Sequence, residues 1–128
     1  MRVLLDTHAL LWFLADNPRL SVSAKRILED ATTDASISVA SLWEIAIKIR
    51  LNKLQLTQPF ERLFPDQLAQ NDIALLGVTL GHITRLTTLP LHHRDPFDRL
   101  LIAQALEEQL VIVGADSAFD AYAVERVW

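Results

Sequence analysis

Cysteine is absent from this chain, so disulfides and thiolate metal sites are excluded, while catalysis by other groups stays open. Glycine is scarce: the three residues form no glycine-rich phosphate-binding loop. Long apolar runs are missing as well. The run Ala9–Ala15 is too short to span a bilayer. It follows Asp6 and His8 rather than a basic segment and lacks a small-residue cleavage site, so it does not read as a secretion signal. A cytoplasmic protein with no membrane partner is expected. His8, His82, His92 and His93 lack zinc-ligand spacing. Asp6-Thr7-His8 lacks the second aspartate, two residues on, of a phosphoaspartate hydrolase. No histidine or serine stands where a general base or nucleophile would be expected.

What remains is an ordinary globular composition. The 128 residues are 51% hydrophobic and 22% charged, without repeats or a long linker, which predicts one domain over residues 1–128. A net charge of −4 argues at first against a nucleic-acid partner. That objection weakens if acids gather on a metal ion. Setting four of the 16 acids aside leaves 12, matched by 12 Lys plus Arg.

The chain is organised around His93-Arg94-Asp95-Pro96-Phe97-Asp98-Arg99-Leu100-Leu101-Ile102-Ala103. Asp95 suits a helix cap, Pro96 the first turn, and Asp98 the third helical position. In chain order, Arg2–Leu5 reads as a strand buried on both faces, ending at Asp6-Thr7. A very apolar helix follows from about His8 to Ala15, and Asn17-Pro18 breaks it. Ser21 caps a second helix through about Ala31. Ser36–Val39 is a second strand, and Ser41 begins a third helix that Asn52 ends. Two short helices separated by Pro65 lie between Pro59 and Asn71. Ile73–Val78 is a third strand, and Thr79 starts a helix to about Leu86. Leu110–Val113 is a fourth strand, followed by a helical turn near Ala118–Tyr122 and an edge strand, Val124–Trp128. Strands alternating with helices predict an α/β sandwich with a mostly parallel sheet of four to five strands.

In such a sheet, ligands bind outside the carboxyl ends of the strands. Four acids fall there: Asp6 after strand one, Glu44 in the first turn of the helix after strand two, Asp98 in the first turn of the central helix, and Asp116 past strand four. Right-handed crossovers bring these turns to one edge. Converging carboxylates repel, and a hard divalent cation removes that cost, so Mg²⁺ or Mn²⁺ suits them. Such an ion keeps waters, grips a phosphate oxygen and lowers the pKa of a water, which is the apparatus of phosphodiester hydrolysis. Each acid taken alone also has a capping explanation. Ser41-Leu42-Trp43-Glu44 matches a capping box, and Asp95-Pro96-Phe97-Asp98 resembles one.

Four stretches occur in a telling order: Leu5-Asp6-Thr7-His8-Ala9-Leu10-Leu11-Trp12, Ser38-Val39-Ala40-Ser41-Leu42-Trp43-Glu44-Ile45, Leu89-Pro90 through Asp98-Arg99-Leu100-Leu101-Ile102-Ala103-Gln104-Ala105, and Ala115-Asp116 before Phe119. Together they resemble the PIN-domain family, specifically the small VapC-like toxins of bacterial type II toxin–antitoxin modules. The resemblance implies a PIN-like three-layer sandwich with Mg²⁺- or Mn²⁺-dependent endoribonuclease activity. It implies Asp6 and Asp98 as principal metal ligands. Glu44 would be a ligand or would position water, and Asp116 would hold a second metal or act through water. It also implies a homodimer and a VapB-like antitoxin lying in a hydrophobic groove and reaching towards the acids. Trp12, Phe13 or Trp43 is expected on such an interface, because the first helix is apolar on every side. Many relatives carry threonine where this chain has Gly114, and glycine where it has Asn52.

Other readings stay open. An RNA-processing PIN nuclease without an antitoxin would share the acids, whereas a silent PIN-like binding module would have lost them. A phosphoacceptor receiver domain would need an aspartate at the end of the central strand and a lysine at a later strand end; the Val78-Thr79 and Gly114-Ala115 ends supply neither.

Overall fold

Val3, Leu4 and Leu5 are wholly buried in the computed structural model, which describes residues 1–128. They lie in β1 (Arg2–Leu5), the central strand of a five-stranded sheet, where an unbroken apolar run is covered on both faces. The chain continues through α1 (Thr7–Leu14), α2 (Val22–Glu29), β2 (Asp34–Ser38) and α3 (Val39–Arg50). The short α4 (Phe60–Leu63) and α5 (Asp66–Gln70) are separated at Pro65 and lead to β3 (Ile73–Leu76). Then come α6 (Leu80–Leu86), α7 (Pro96–Glu108), β4 (Val111–Val113), a 3₁₀ helix (Ser117–Ala121) and β5 (Arg126–Val127). The strand order is β3-β2-β1-β4-β5, and every neighbouring pair is parallel. The expected α/β sandwich is present, with a sheet that is wholly rather than mostly parallel.

Alternation along β1 divides the core. Val3 and Leu5 join Ala9, Leu10, Ile37 and Ile45 on one face. Leu4 joins Leu101, Ile102, Ile112 and Phe119 on the other. Successive side chains of a strand point to opposite faces, so one short strand anchors both helical layers. From β1 the chain winds outward through β2 to β3, then crosses back to place β4 on the other side of β1. The order therefore reverses between β1 and β4, and a crevice opens there at the carboxyl ends.

Several boundaries differ from expectation. β2 spans Asp34–Ser38, β3 stops at Leu76, α2 stops at Glu29 and β5 is only Arg126–Val127. One difference matters for the site. α3 starts at Val39 rather than Ser41, because the Ser38 oxygen at the buried end of β2 already accepts the Ala40 N–H at 3.1 Å. The Ser41 hydroxyl is left buried without a partner. Glu44 therefore sits in the second turn, and the expected capping box does not form. Asn52 leaves α3 at φ 56°, the left-handed conformation asparagine tolerates. No helix is long and apolar enough to cross a membrane.

Candidate active site

Asp6 ends β1 and caps α1, its Oδ1 accepting the Ala9 N–H at 2.7 Å. It is only 8% exposed, and its own N–H donates to Val113 O of β4 at 3.0 Å. The carboxylate is thus pinned at the crevice, with one oxygen already used. Burial raises its pKa, the Ala9 N–H and His8 oppose this, and Asp116 and Glu44 add to it.

Glu44 reaches the same place from α3. Its Oε1 accepts the Thr7 hydroxyl at 2.6 Å, and its Oε2 lies 3.0 Å from Lys48 Nζ one turn along the helix. Asp98 arrives from α7. Asp95 Oδ1 caps that helix, accepting N–H bonds from Phe97 at 2.8 Å and Asp98 at 3.3 Å. The Asp98 side chain is released from capping, contrary to the resemblance to a capping box, and meets His93 Nε2 at 3.1 Å. Its pKa is pushed up to about 6, first by burial and then by Asp95, with His93 opposing and Glu44 and Asp6 adding. Asp116 caps the 3₁₀ helix through the Ala118 N–H at 2.9 Å and is exposed at the rim. All four expected acids line one cleft of about 280 Å³, together with Thr7, His8, Lys48, His93, Asp95 and Phe119.

These groups fit a hard cation. Carboxylates that raise one another's pKa in a half-buried cleft are a site short of positive charge, and their donors are all oxygen. A ring nitrogen of His93 and one carboxylate oxygen each of Asp98 and Asp116 also lie within 4.8 Å of one another. His93 is not the natural ligand of that set. Its Nδ1 accepts the Asp95 N–H at 3.1 Å, so the proton of the neutral ring belongs on Nε2, pointing at Asp98. His93 acts as a donor that orients Asp98.

The family profile for the PIN domain matches residues 3–125. This chain belongs to the PIN-domain family. It is 31% identical to Ribonuclease VapC22 of Mycobacterium tuberculosis over 115 residues, 89% of this chain and 86% of that protein. Among solved structures, the VapBC2 complex of Rickettsia felis bound to a promoter DNA fragment contains a chain that superposes with a TM-score of 0.74 at 13% identity, covering 99% of this chain and 98% of that one. A chain of VapBC-1 from nontypeable Haemophilus influenzae gives 0.69 at 16%, covering 99% and 97%.

Within this PIN domain, sequence reasoning missed Thr7, Lys48 and His93. Thr7 and Lys48 carried a signal, one beside Asp6 and the other one helical turn after Glu44. His93 carried none, because its position depends on a distant tether. Tyr122 OH accepts the His92 and His93 N–H groups at 3.0 and 2.8 Å, and Arg99 braces the same loop through Pro90 O at 2.8 Å. Arg99 is thereby occupied and is not a free phosphate contact. Of the aromatics, Trp12 and Phe13 are half-buried while Trp43 is 62% exposed, edge-on to Phe97 at 5.3 Å. Trp12, Leu11, Leu14, Leu54 and Leu56 line an apolar groove of about 360 Å³, and His8 lines both this groove and the acid cleft.

Proposed function

We infer that this PIN domain, as a single unit over residues 1–128, is the toxin of a type II toxin–antitoxin module and a Mg²⁺- or Mn²⁺-dependent endoribonuclease. The observation that carries the reading is the convergence of Asp6, Glu44, Asp98 and Asp116 on one cleft at the point where the strand order reverses. Family membership and the likeness to Ribonuclease VapC22 support RNA as the substrate.

Asp6, Glu44 and Asp98 would hold the cation, with Asp116 at the rim binding a second ion or acting through water. A bound cation supplies Lewis-acid charge, lowering the pKa of a water and offsetting the charge that builds on the phosphate. The protein's share is positional. Ala9 N–H fixes Asp6, Thr7 fixes Glu44, and His93 fixes Asp98, so the charges stand ready before RNA arrives. With water as the nucleophile, the RNA 2′-hydroxyl has no chemical role. Analysis of the cut ends tests this: 5′- or 3′-monophosphates are expected, and 2′,3′-cyclic phosphates would contradict it.

The apolar groove beside α1 suits a VapB-like antitoxin segment, supported by solved relatives described as VapBC complexes. Because His8 borders groove and cleft alike, a chain lying in the groove is placed to send a basic side chain to the acids. A homodimer is part of the same reading.

A further inference from the structure

Lys48 is the only lysine or arginine lining a cleft that holds the carboxyl groups of Asp6, Glu44, Asp95, Asp98 and Asp116. Its ammonium lies 3.0 Å from Glu44 Oε2, and its side chain is 35% exposed against 12% for Glu44. An i,i+4 pair of this order is common on helix surfaces and needs no function. Two features separate this one from a surface pair. Glu44 is already oriented by Thr7 through its other oxygen, at 2.6 Å, so Lys48 is surplus to holding it. And the pair opens into the acid cleft rather than onto a solvated helix face.

A phosphodiester entering this cleft meets an excess of negative charge. A divalent cation on the acids offsets part of it and competes with Lys48 for Glu44. The ammonium then has donors to spare and a flexible four-carbon stem that can turn them outward. Of the arginines near this edge, Arg99 is tied to Pro90 O and Leu89 O, and Arg126 to Gly114 O and the Asp120 carboxylate. We propose that Lys48 is an RNA phosphate-binding residue, whose ammonium passes from Glu44 to a non-bridging phosphate oxygen when substrate enters. This rests on the ribonuclease reading above and names a substrate contact within that site.

The test uses the full-length protein and its Lys48→Met and Lys48→Arg variants. Mn²⁺ affinity is measured by calorimetry. Affinity for a fluorescein-labelled single-stranded RNA dodecamer is measured by anisotropy, with Ca²⁺ filling the acids, across a salt series. Methionine keeps the stem and removes the charge. Lys48→Met is expected to bind Mn²⁺ at least as tightly as wild type, because a competing cation is gone. It should bind RNA about tenfold more weakly, with a salt slope shallower by about 0.7, the share of one single-strand phosphate contact. Lys48→Arg should keep RNA affinity within about threefold. RNA affinity and salt slope unchanged in Lys48→Met would overturn the proposal and leave Lys48 as a neutraliser of Glu44. Loss of Mn²⁺ affinity in that variant would overturn it too, since Lys48 would then act by positioning Glu44. Wild-type protein that binds Mn²⁺ but no RNA would instead bring down the ribonuclease reading itself.

Discussion

A Cβ placed on Gly114 would stand 2.6 Å from Asp6 Oδ2 and 3.0 Å from Asp6 Cγ. The carboxylate cannot retreat, because its other oxygen holds the Ala9 N–H and the residue is nearly buried. Glycine at 114 is therefore coupled to the way Asp6 is held, and the departure from the threonine of many relatives is a steric match. Gly114→Ala should displace Asp6, destabilise the fold by about 1–3 kcal/mol and weaken Mn²⁺ binding at least tenfold. Thermal melts and calorimetry check both. Unchanged Mn²⁺ affinity would show that Asp6 is not fixed in this way.

Asp98 should make stability depend on pH in a definite direction. Its carboxyl is held at about 6, above the ordinary 3.8, mainly by burial and by Asp95. The folded protein keeps a proton there that the unfolded chain releases, so stability contributed by this group falls as pH rises from about 4 to about 6. Without metal, Asp98→Asn should match wild type at pH 4 and be more stable at pH 7, by on the order of 1 kcal/mol. Mn²⁺ should stabilise wild type at pH 7 but not the variant. An advantage for Asp98→Asn that is constant with pH would rule out this origin.

Thr7→Val keeps the shape of the side chain and removes the hydroxyl that Glu44 accepts at 2.6 Å. Cleavage should fall by about ten- to a hundredfold, the size of one lost hydrogen bond to a charged group, with the melting temperature little changed. Circular dichroism and a cleavage time course separate the two effects. Full activity would mean that Glu44 needs no such tether.

Trp12 sits in the apolar groove, stacked on His8 at 5.6 Å and tilted against Trp128 at 5.7 Å. Trp12→Leu preserves apolar bulk but removes the aromatic anchor. Affinity for the proposed VapB-like antitoxin should drop at least tenfold, as for a central interface aromatic. RNA cleavage by the isolated protein should stay within about twofold. Equal antitoxin affinity would move the interface elsewhere, with the exposed Trp43 the next position to test.

Local chemistry was legible in the sequence where one residue decides the outcome. Ser21, Thr79 and Asp95 cap the helices expected of them, and Asn52 turns the chain out of α3. Val3-Leu4-Leu5 announced a strand covered on both faces. The start of α3 was not legible, because Ser38 and Ser41 both qualify as caps, and burial of the strand end chose Ser38. That shift of one turn is why Glu44 points at Thr7 and Lys48 instead of closing a capping box. His93 was hidden for another reason. Its reach to Asp98 depends on Tyr122, which is distant in sequence and meets the loop only once the sheet has formed. The order of the acids could be read along the chain, but the Thr7 hydroxyl on Glu44 and the Tyr122 tether behind His93 belong to the tertiary structure.

The most direct test of the account is cleavage of total cellular RNA by the purified, antitoxin-free protein. Mg²⁺ or Mn²⁺ is compared with EDTA, and wild type with Asp98→Asn. Cutting at discrete sites that needs the metal and disappears in the variant is the predicted result. Cutting that persists in EDTA or in Asp98→Asn, or no cutting by folded protein with metal bound, would contradict it.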